Sequence, residues 1–211
     1  MKENHISSSV IKRLPRYYRF LGELKKQGIQ RISSSELAVR MNLTASQIRQ
    51  DLNCFGGFGQ QGYGYNIEML YECIGDILGL NAPTKAIMLG VGKLGVVVAE
   101  NMNFEKQGFS LIGAFDVDPM VIGKTVAGVT VQSVDELDDF CRIKSPTAAF
   151  MCVPSSAAPD LSEKLISLGV VGFWNFSHYD IGIKHPEVFV ENVHFGDTLM
   201  RLSYKIKSHD K

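Results

Sequence analysis

The chain has 211 residues, 45% hydrophobic and 21% charged, enough for one large domain or two small ones with buried cores. No apolar run approaches the roughly 18 residues of a membrane span, and the first residues lack the apolar core of a secretory signal, so a cytoplasmic chain without a membrane partner is expected. Net charge is zero, but residues 1–65 hold ten Lys and Arg against four Asp and Glu while the remainder holds twelve against eighteen, so a basic head on an acidic body points to a polyanion as the head's partner.

Residues 10–26 read as an amphipathic helix, with Leu14, Tyr17, Tyr18, Leu21 and Leu24 at spacings of three and four and Pro15 near its start. Ser33 and Glu36 then stand at capping-box spacing before Leu37, Ala38 and Met41. Asn42 breaks that short helix, and Thr44 with Gln47 repeats the box to open another, with Ile48 and Leu52 inward. Two short helices joined by a tight turn make a helix-turn-helix pattern. Its second helix turns Ser46, Gln47, Arg49 and Gln50 outward, residue types that hydrogen-bond base edges and phosphates. The same pattern also describes a helical hairpin that touches no DNA.

Residues 55–66, FGGFGQQGYGYN, hold five glycines, four aromatics and no charge. Glycine makes turns cheap and Phe58, Tyr63 and Tyr65 favour strands, so a hairpin with its tip at residues 59–62 is expected, the wing of a winged helix. Gln60, Gln61, Gly62 and Tyr63 are its candidate DNA contacts; a flexible linker is the other reading. Asn66 suits the N-cap of a further helix, and residues 81–83, Asn-Ala-Pro, mark a boundary that leaves a first domain over residues 1–80.

An apolar strand over residues 86–89 runs into Gly90, Val91, Gly92, Lys93, Leu94 and Gly95, a Gly-x-Gly-x-x-Gly turn leading into a helix, the setting that a dinucleotide-binding loop needs. The first glycine permits the turn, the second lets backbone approach a pyrophosphate, and the third lets helix and strand pack closely. The strand over residues 109–116 ends in Asp116, followed by Val117 and by Asp118, a nearby alternative; an acid there accepts from both ribose hydroxyls and favours NAD(H) over its 2′-phosphorylated form. Alternating strands and helices continue, so a Rossmann domain is expected over residues 84–193. Val153, Pro154, Asn175 and Phe176 fall at carboxyl ends of strands, where ligands of open α/β sheets sit. A last strand and an amphipathic C-terminal helix over residues 195–207 end the chain.

His178, His185 and His194, with Lys184 and Arg201, form no spacing that defines a catalytic set. A non-enzyme is therefore expected; an NAD-dependent oxidoreductase fused to a DNA-binding head is the alternative, distinguished by substrate-dependent NADH oxidation. No metal site is expected. Cys54, Cys73, Cys141 and Cys152 form no CxxC pair and read as free thiols of a reducing compartment.

The segments IKRLPRYYRFL, ASQIRQDL, FGGFGQQGYGYN, LGVGKLG, FDVDP and RLSY together resemble the bacterial redox-sensing transcriptional repressors of the Rex family over about residues 10–204. That resemblance implies a homodimer on a palindromic operator. Each subunit would pair a winged helix and a Rossmann domain with a C-terminal helix, residues 194–211, swapped into the partner. By the same resemblance, DNA would be bound when NADH is low and released by NADH. Lys12, Arg13 and Arg16 would be phosphate contacts, and Phe195 would reach towards the partner's nicotinamide pocket. The chain departs from the family at Asn101, where many relatives carry Tyr; at Ser177 and His178, often Ala-Pro; at His194, often an Asp pairing with the equivalent of Arg16; and at Gln61, usually a cation. The first three lie in the sensing half, so either NADH sensing is altered or compensating changes preserve it, and the last implies weaker DNA affinity.

Overall fold

The computed structural model describes residues 7–56, 59–60 and 63–209. They divide into two compact units, Met1–Ala82 and Pro83–Lys211.

In the first unit, α1 (Ser8–Lys26) buries Val10, Leu14, Tyr17, Leu21 and Leu24 along one stripe. The helix begins earlier than the sequence pattern implied, so Pro15 lies inside it rather than near its start; it sits on the exposed side. α2 (Ser34–Met41) opens with the expected capping box, Ser33 Oγ accepting from Glu36 N and Glu36 Oε2 from Ser33 N, and closes on Asn42 in the left-handed region. α3 (Ala45–Asn53) carries only half of its expected box: Thr44 Oγ1 accepts from Gln47 N, but the Gln47 side chain turns to Asp51 instead of back to Thr44. α4 (Ile67–Ile77) is capped by Asn66, whose Oδ1 accepts from Met69 N.

Three short strands complete this unit: β1 (Arg31–Ile32), β2 (Gly59–Gln60) and β3 (Gly64–Asn66), antiparallel in the order β1-β3-β2. Gly59 pairs with Tyr65 and Gln60 with Gly64, so the first half of the expected tip belongs to a strand. Gln61 and Gly62 lie outside the described residues. Gly64 has φ +69°, and a Cβ there would stand 2.6 Å from the Ile32 carbonyl oxygen, so only glycine lets β3 close on β1. The result is a winged helix closed by α4.

α1 and α4 interlock through a reciprocal device. Tyr18 and Tyr71 stack with centroids 4.2 Å apart. A Cβ on Gly22 of α1 would meet Tyr71 at 3.1 Å, and one on Gly75 of α4 would meet Tyr18 at 3.2 Å. Each ring therefore lies over the glycine of the opposite helix, and burial, with Tyr71 beside it, pushes the Tyr18 hydroxyl up to about 12.

The second unit is a seven-stranded sheet in the order β10-β9-β8-β4-β5-β7-β6. β4 (Thr84–Leu89), β5 (Phe109–Asp116), β7 (Val129–Ser133), β8 (Ala148–Met151), β9 (Gly172–Asn175) and β10 (Phe189–Asn192) run parallel, and β6 (Thr125–Val126) pairs antiparallel with β7 at the edge. Central β4 is apolar on both faces because both are covered. Ala86 and Met88 face α5 (Lys93–Asn101). Ile87 and Leu89 join the core with α6 (Leu137–Lys144), α7 (Ala158–Ser167) and α8 (Ile181–Lys184). The chain leaves β4 towards β5 on one side and returns at β8 on the other, so the switch point lies between β4 and β8, where an open sheet gathers its ligand. α9 (Phe195–His209) buries nothing within its chain: Phe195, Leu199, Met200, Leu202, Tyr204 and Ile206 are all more than half exposed.

Candidate nucleotide site and DNA-binding face

The glycine turn sits at the switch point, and its glycines do different work. Gly90, at φ +87°, donates its N–H to the Phe115 carbonyl at 2.8 Å, and a Cβ on it would stand 2.5 Å from the Cys152 carbonyl oxygen. Its role is thus close approach to the strand across the switch point as well as the turn. A Cβ on Gly95 would stand 2.1 Å from the Gly90 carbonyl oxygen, so α5 packs directly onto the turn. A Cβ on Gly92 would meet nothing within 4 Å. Gly92 is the N-cap of α5, with no side-chain cap on the helix's first amides, which leaves donors and the positive end of the helix dipole for an anion. Lys93 is exposed, Leu94 half-buried and Val91 buried. These features fit a diphosphate at Gly92.

Asp116 ends β5 beside this turn. Its Oδ2 accepts from Val91 N at 2.6 Å; its Oδ1 accepts from Val117 N at 2.7 Å and Asp118 N at 2.9 Å. Three of about four lone-pair positions on the carboxylate are therefore filled by backbone. One remains, on Oδ2, which leaves room for one further donor where two ribose hydroxyls were expected. Asp118 is exposed beside it; its Oδ1 accepts from Met120 N, and among the described residues nothing bonds its Oδ2. Val117 is also exposed.

Across the switch point, Val153 and Pro154 follow β8. Burial pushes the neighbouring Cys152 thiol up to about 12, which keeps it an unreactive thiol. All four cysteines are free. Asn175, fully buried, does not offer its side chain to a ligand as expected. Its Nδ2 donates to the Tyr179 carbonyl and Asn192 Oδ1, and its Oδ1 accepts from Ser177 N and Ser177 Oγ, so every donor and acceptor is occupied in tying β9 to β10. Phe176 packs on Trp174 and has its centroid 6.3 Å from Phe195 of the same chain. Three of the departing residues converge here: the His178 and His194 rings lie 5.4 Å apart, and His194 Nε2 is 3.3 Å from the Ser177 carbonyl oxygen. Asn101 is elsewhere, at the end of α5, donating to the Val97 carbonyl.

On the winged helix, Lys12, Ser46, Arg49, Gln50 and Tyr63 are exposed, and Arg16 is half-buried with its guanidinium 5.7 Å from the Phe20 ring centroid. Arg49 Nη1 also donates to Ser34 Oγ at 3.0 Å, bracing α3 on α2. Arg13, expected as a phosphate contact, also grips both oxygens of Asp51 through its Nε and Nη2 at 2.7 and 2.8 Å. Asp51, 1% exposed, also accepts from Tyr17 OH at 2.9 Å and from Gln47 Nε2 at 2.8 Å. Burial alone would raise its pKa, but the bonds from Arg13, Gln47 and Tyr17 outweigh it and hold the carboxyl below the usual aspartate value. Sequence reasoning missed Asp51. The available signal was a carboxylate on the inward face of α3, three residues from Ile48, where it needs partners.

Two family models match, one described as "Putative DNA-binding protein N-terminus" over residues 5–53 and one as "CoA binding domain" over residues 81–179. The chain is 48% identical to the redox-sensing transcriptional repressor Rex of Caldicellulosiruptor saccharolyticus over 205 residues, 97% of this chain and 93% of that one. The chain belongs to the Rex family. Among solved Rex-like structures, RSP in complex with beta-NAD+ and operator DNA is 43% identical with a TM-score of 0.90, covering 97% of this chain and 94% of that one. RSP in complex with beta-NADH is 40% identical with a TM-score of 0.88, covering 98% and 96%. The Rex fold of a winged helix followed by a parallel nucleotide-binding sheet is thus the fold of this chain. Among the described residues, no group of three metal-ligating side chains gathers, and no helix is long and apolar enough to cross a membrane.

Proposed function

We propose that this chain is a cytoplasmic redox-sensing repressor. It binds a palindromic operator as a homodimer through its winged helices and releases it when NADH fills the cradle at residues 90–95 and 116–118. The observation that carries the reading is the union in one chain of a winged helix with an outward Ser46-Arg49-Gln50 face and a nucleotide cradle whose sugar-binding acid, Asp116, is bonded to the diphosphate loop. The relatives support it, being named repressors rather than enzymes. The exposed apolar side chains of α9 support a second copy as its cover, with Phe195 and the neighbouring Phe176 belonging to that shared region. Val153 and Pro154 line the nucleotide's path across the switch point.

The two sites are linked by thermodynamics: NADH must favour the dimer arrangement that holds DNA poorly, and DNA must weaken NADH binding by the same factor. Discrimination between NADH and NAD+ falls to the edge where Ser177, His178 and His194 meet. The test is a titration of NADH and NAD+ in parallel into the protein bound to an operator duplex. Release by NADH at concentrations where NAD+ leaves the complex intact is expected. Equal release by both, or none, would overturn the sensing function.

A further inference from the structure

We propose that Gln47 reads an adenine in the major groove and that Asp51 is the positioning residue that sets this preference; the proposal rests on the DNA-binding reading above. A glutamine amide can normally turn over, exchanging its oxygen and nitrogen ends at little cost. Gln47 cannot. Its Nε2 stands 2.8 Å from Asp51 Oδ1, and a carboxylate only accepts, so the amide nitrogen must face Asp51 and Oε1 must face away. A turned amide would set oxygen against oxygen in a buried place.

The anchor is itself fixed. Asp51 is gripped by Arg13 and Tyr17 of α1, so a separate helix holds the orientation of the Gln47 amide. The Gln47 backbone is fixed too, its N–H donating to the capping Thr44 Oγ1 at 3.1 Å. Gln47 is half-buried and is the third residue of α3, at the end by which such helices approach base edges, between exposed Ser46 and Gln50.

The inventory that remains selects a base. One Nε2 hydrogen is committed to Asp51, which leaves one N–H and the oxygen. Adenine presents an acceptor, N7, beside a donor, the N6 amino group, and matches that pair. Guanine presents two acceptors, N7 and O6, and would leave Oε1 facing one of them. Cytosine and thymine each match only one of the two groups. A glutamine with a free amide can donate twice to guanine; one tied to Asp51 cannot.

The test is selection of bound sequences from a randomised duplex pool by the full chain, by Gln47→Ala and by Asp51→Asn, at one salt concentration. The wild type should favour adenine over guanine by about tenfold at one symmetry-related pair of positions. Gln47→Ala should lose that preference and keep those at other positions. Asp51→Asn should narrow adenine over guanine at the same pair, a change that loss of packing alone would not confine to one base. If Asp51→Asn does not fold, Arg13→Lys, which loosens the grip on Asp51, takes its place, and an adenine preference unchanged in the folded anchor variant would overturn the positioning role. Unchanged preferences in Gln47→Ala, or guanine at the position it controls, would overturn the assignment. A wild-type chain that enriches no sequence overturns the DNA-binding reading and the assignment with it.

Discussion

Two alanine substitutions three residues apart in the glycine turn should fail in opposite ways. At Gly95 the new Cβ would stand 2.1 Å from the Gly90 carbonyl oxygen, so α5 must move away from the turn by about 1 Å, a strain of about 1–3 kcal/mol in a packed interior. At Gly92 the Cβ meets no atom within 4 Å and the backbone, at φ −70°, suits any residue. Alanine is a poorer N-cap than glycine by about 0.5–1 kcal/mol, and it restricts the unfolded chain by about 0.4–1 kcal/mol in the opposite sense, so the net is close to zero. The same methyl group stands where a diphosphate oxygen would approach the backbone, and NADH affinity should fall at least tenfold, or about 1.4 kcal/mol. Thermal unfolding without nucleotide, beside a titration of NADH followed by its own fluorescence, separates the two. Gly95→Ala should melt several degrees low, at about 2–4 °C per kcal/mol for a chain this long, and Gly92→Ala at the wild-type temperature with binding lost. A Gly92→Ala chain that binds NADH normally, or that melts as low as Gly95→Ala, would show that the diphosphate does not lie there.

Three further outcomes can be checked. The Asp51 carboxyl is held below its ordinary value in the fold, so its contribution is complete above the unfolded value of 3.8 and is lost as pH falls through the lower folded one; the urea midpoint of the wild type should exceed that of Asp51→Asn by a constant margin above about pH 5 and converge on it in stronger acid. Gly22→Ala gains about 1 kcal/mol of helix propensity but presses on Tyr71, whose ring is stacked on Tyr18; urea unfolding should find a net loss of about 1 kcal/mol, and a more stable variant would mean that the ring yields. Leu199→Asp combined with Leu202→Asp places charges on the exposed face of α9 and should turn the dimer into a folded monomer in sedimentation velocity; an unchanged dimer would remove α9 from the interface.

The parts of the fold with local signals could be read from the chain. The Ser33-Glu36 box, the Asn42 break, the Asn66 cap and the span of β5 all rest on residues within a few positions of one another. The glycine turn could be read for the same reason, since its strand and helix adjoin it. What could not be read rests on distant partners. Asp51 meets Arg13 and Tyr17 across 38 and 34 residues, and no periodicity reports such a pairing. β1 and β6 are two residues long, too short for an alternating pattern, and exist because β3 and β7 pair with them. Asn175 looked like a ligand contact because it ends a strand; Ser177, Tyr179 and Asn192 claimed its amide first. The convergence of His178 and His194 likewise needs β9 and β10 to be neighbours.

The bonding of Asp116 bears on any attempt to re-engineer the chain's cofactor. The usual route to a 2′-phosphorylated nucleotide replaces the strand-end acid with a small neutral residue to remove its repulsion. Here the same carboxylate latches Val91 in the diphosphate loop and orders the turn at Val117 and Asp118. Removing it would free three backbone amides along with the charge, and the loop that must hold the diphosphate of either nucleotide would lose its fastening. On the proposed reading, selectivity for the sugar and rigidity of the cradle would be vested in one side chain, so a switch of cofactor would have to begin by supplying those amides with another acceptor.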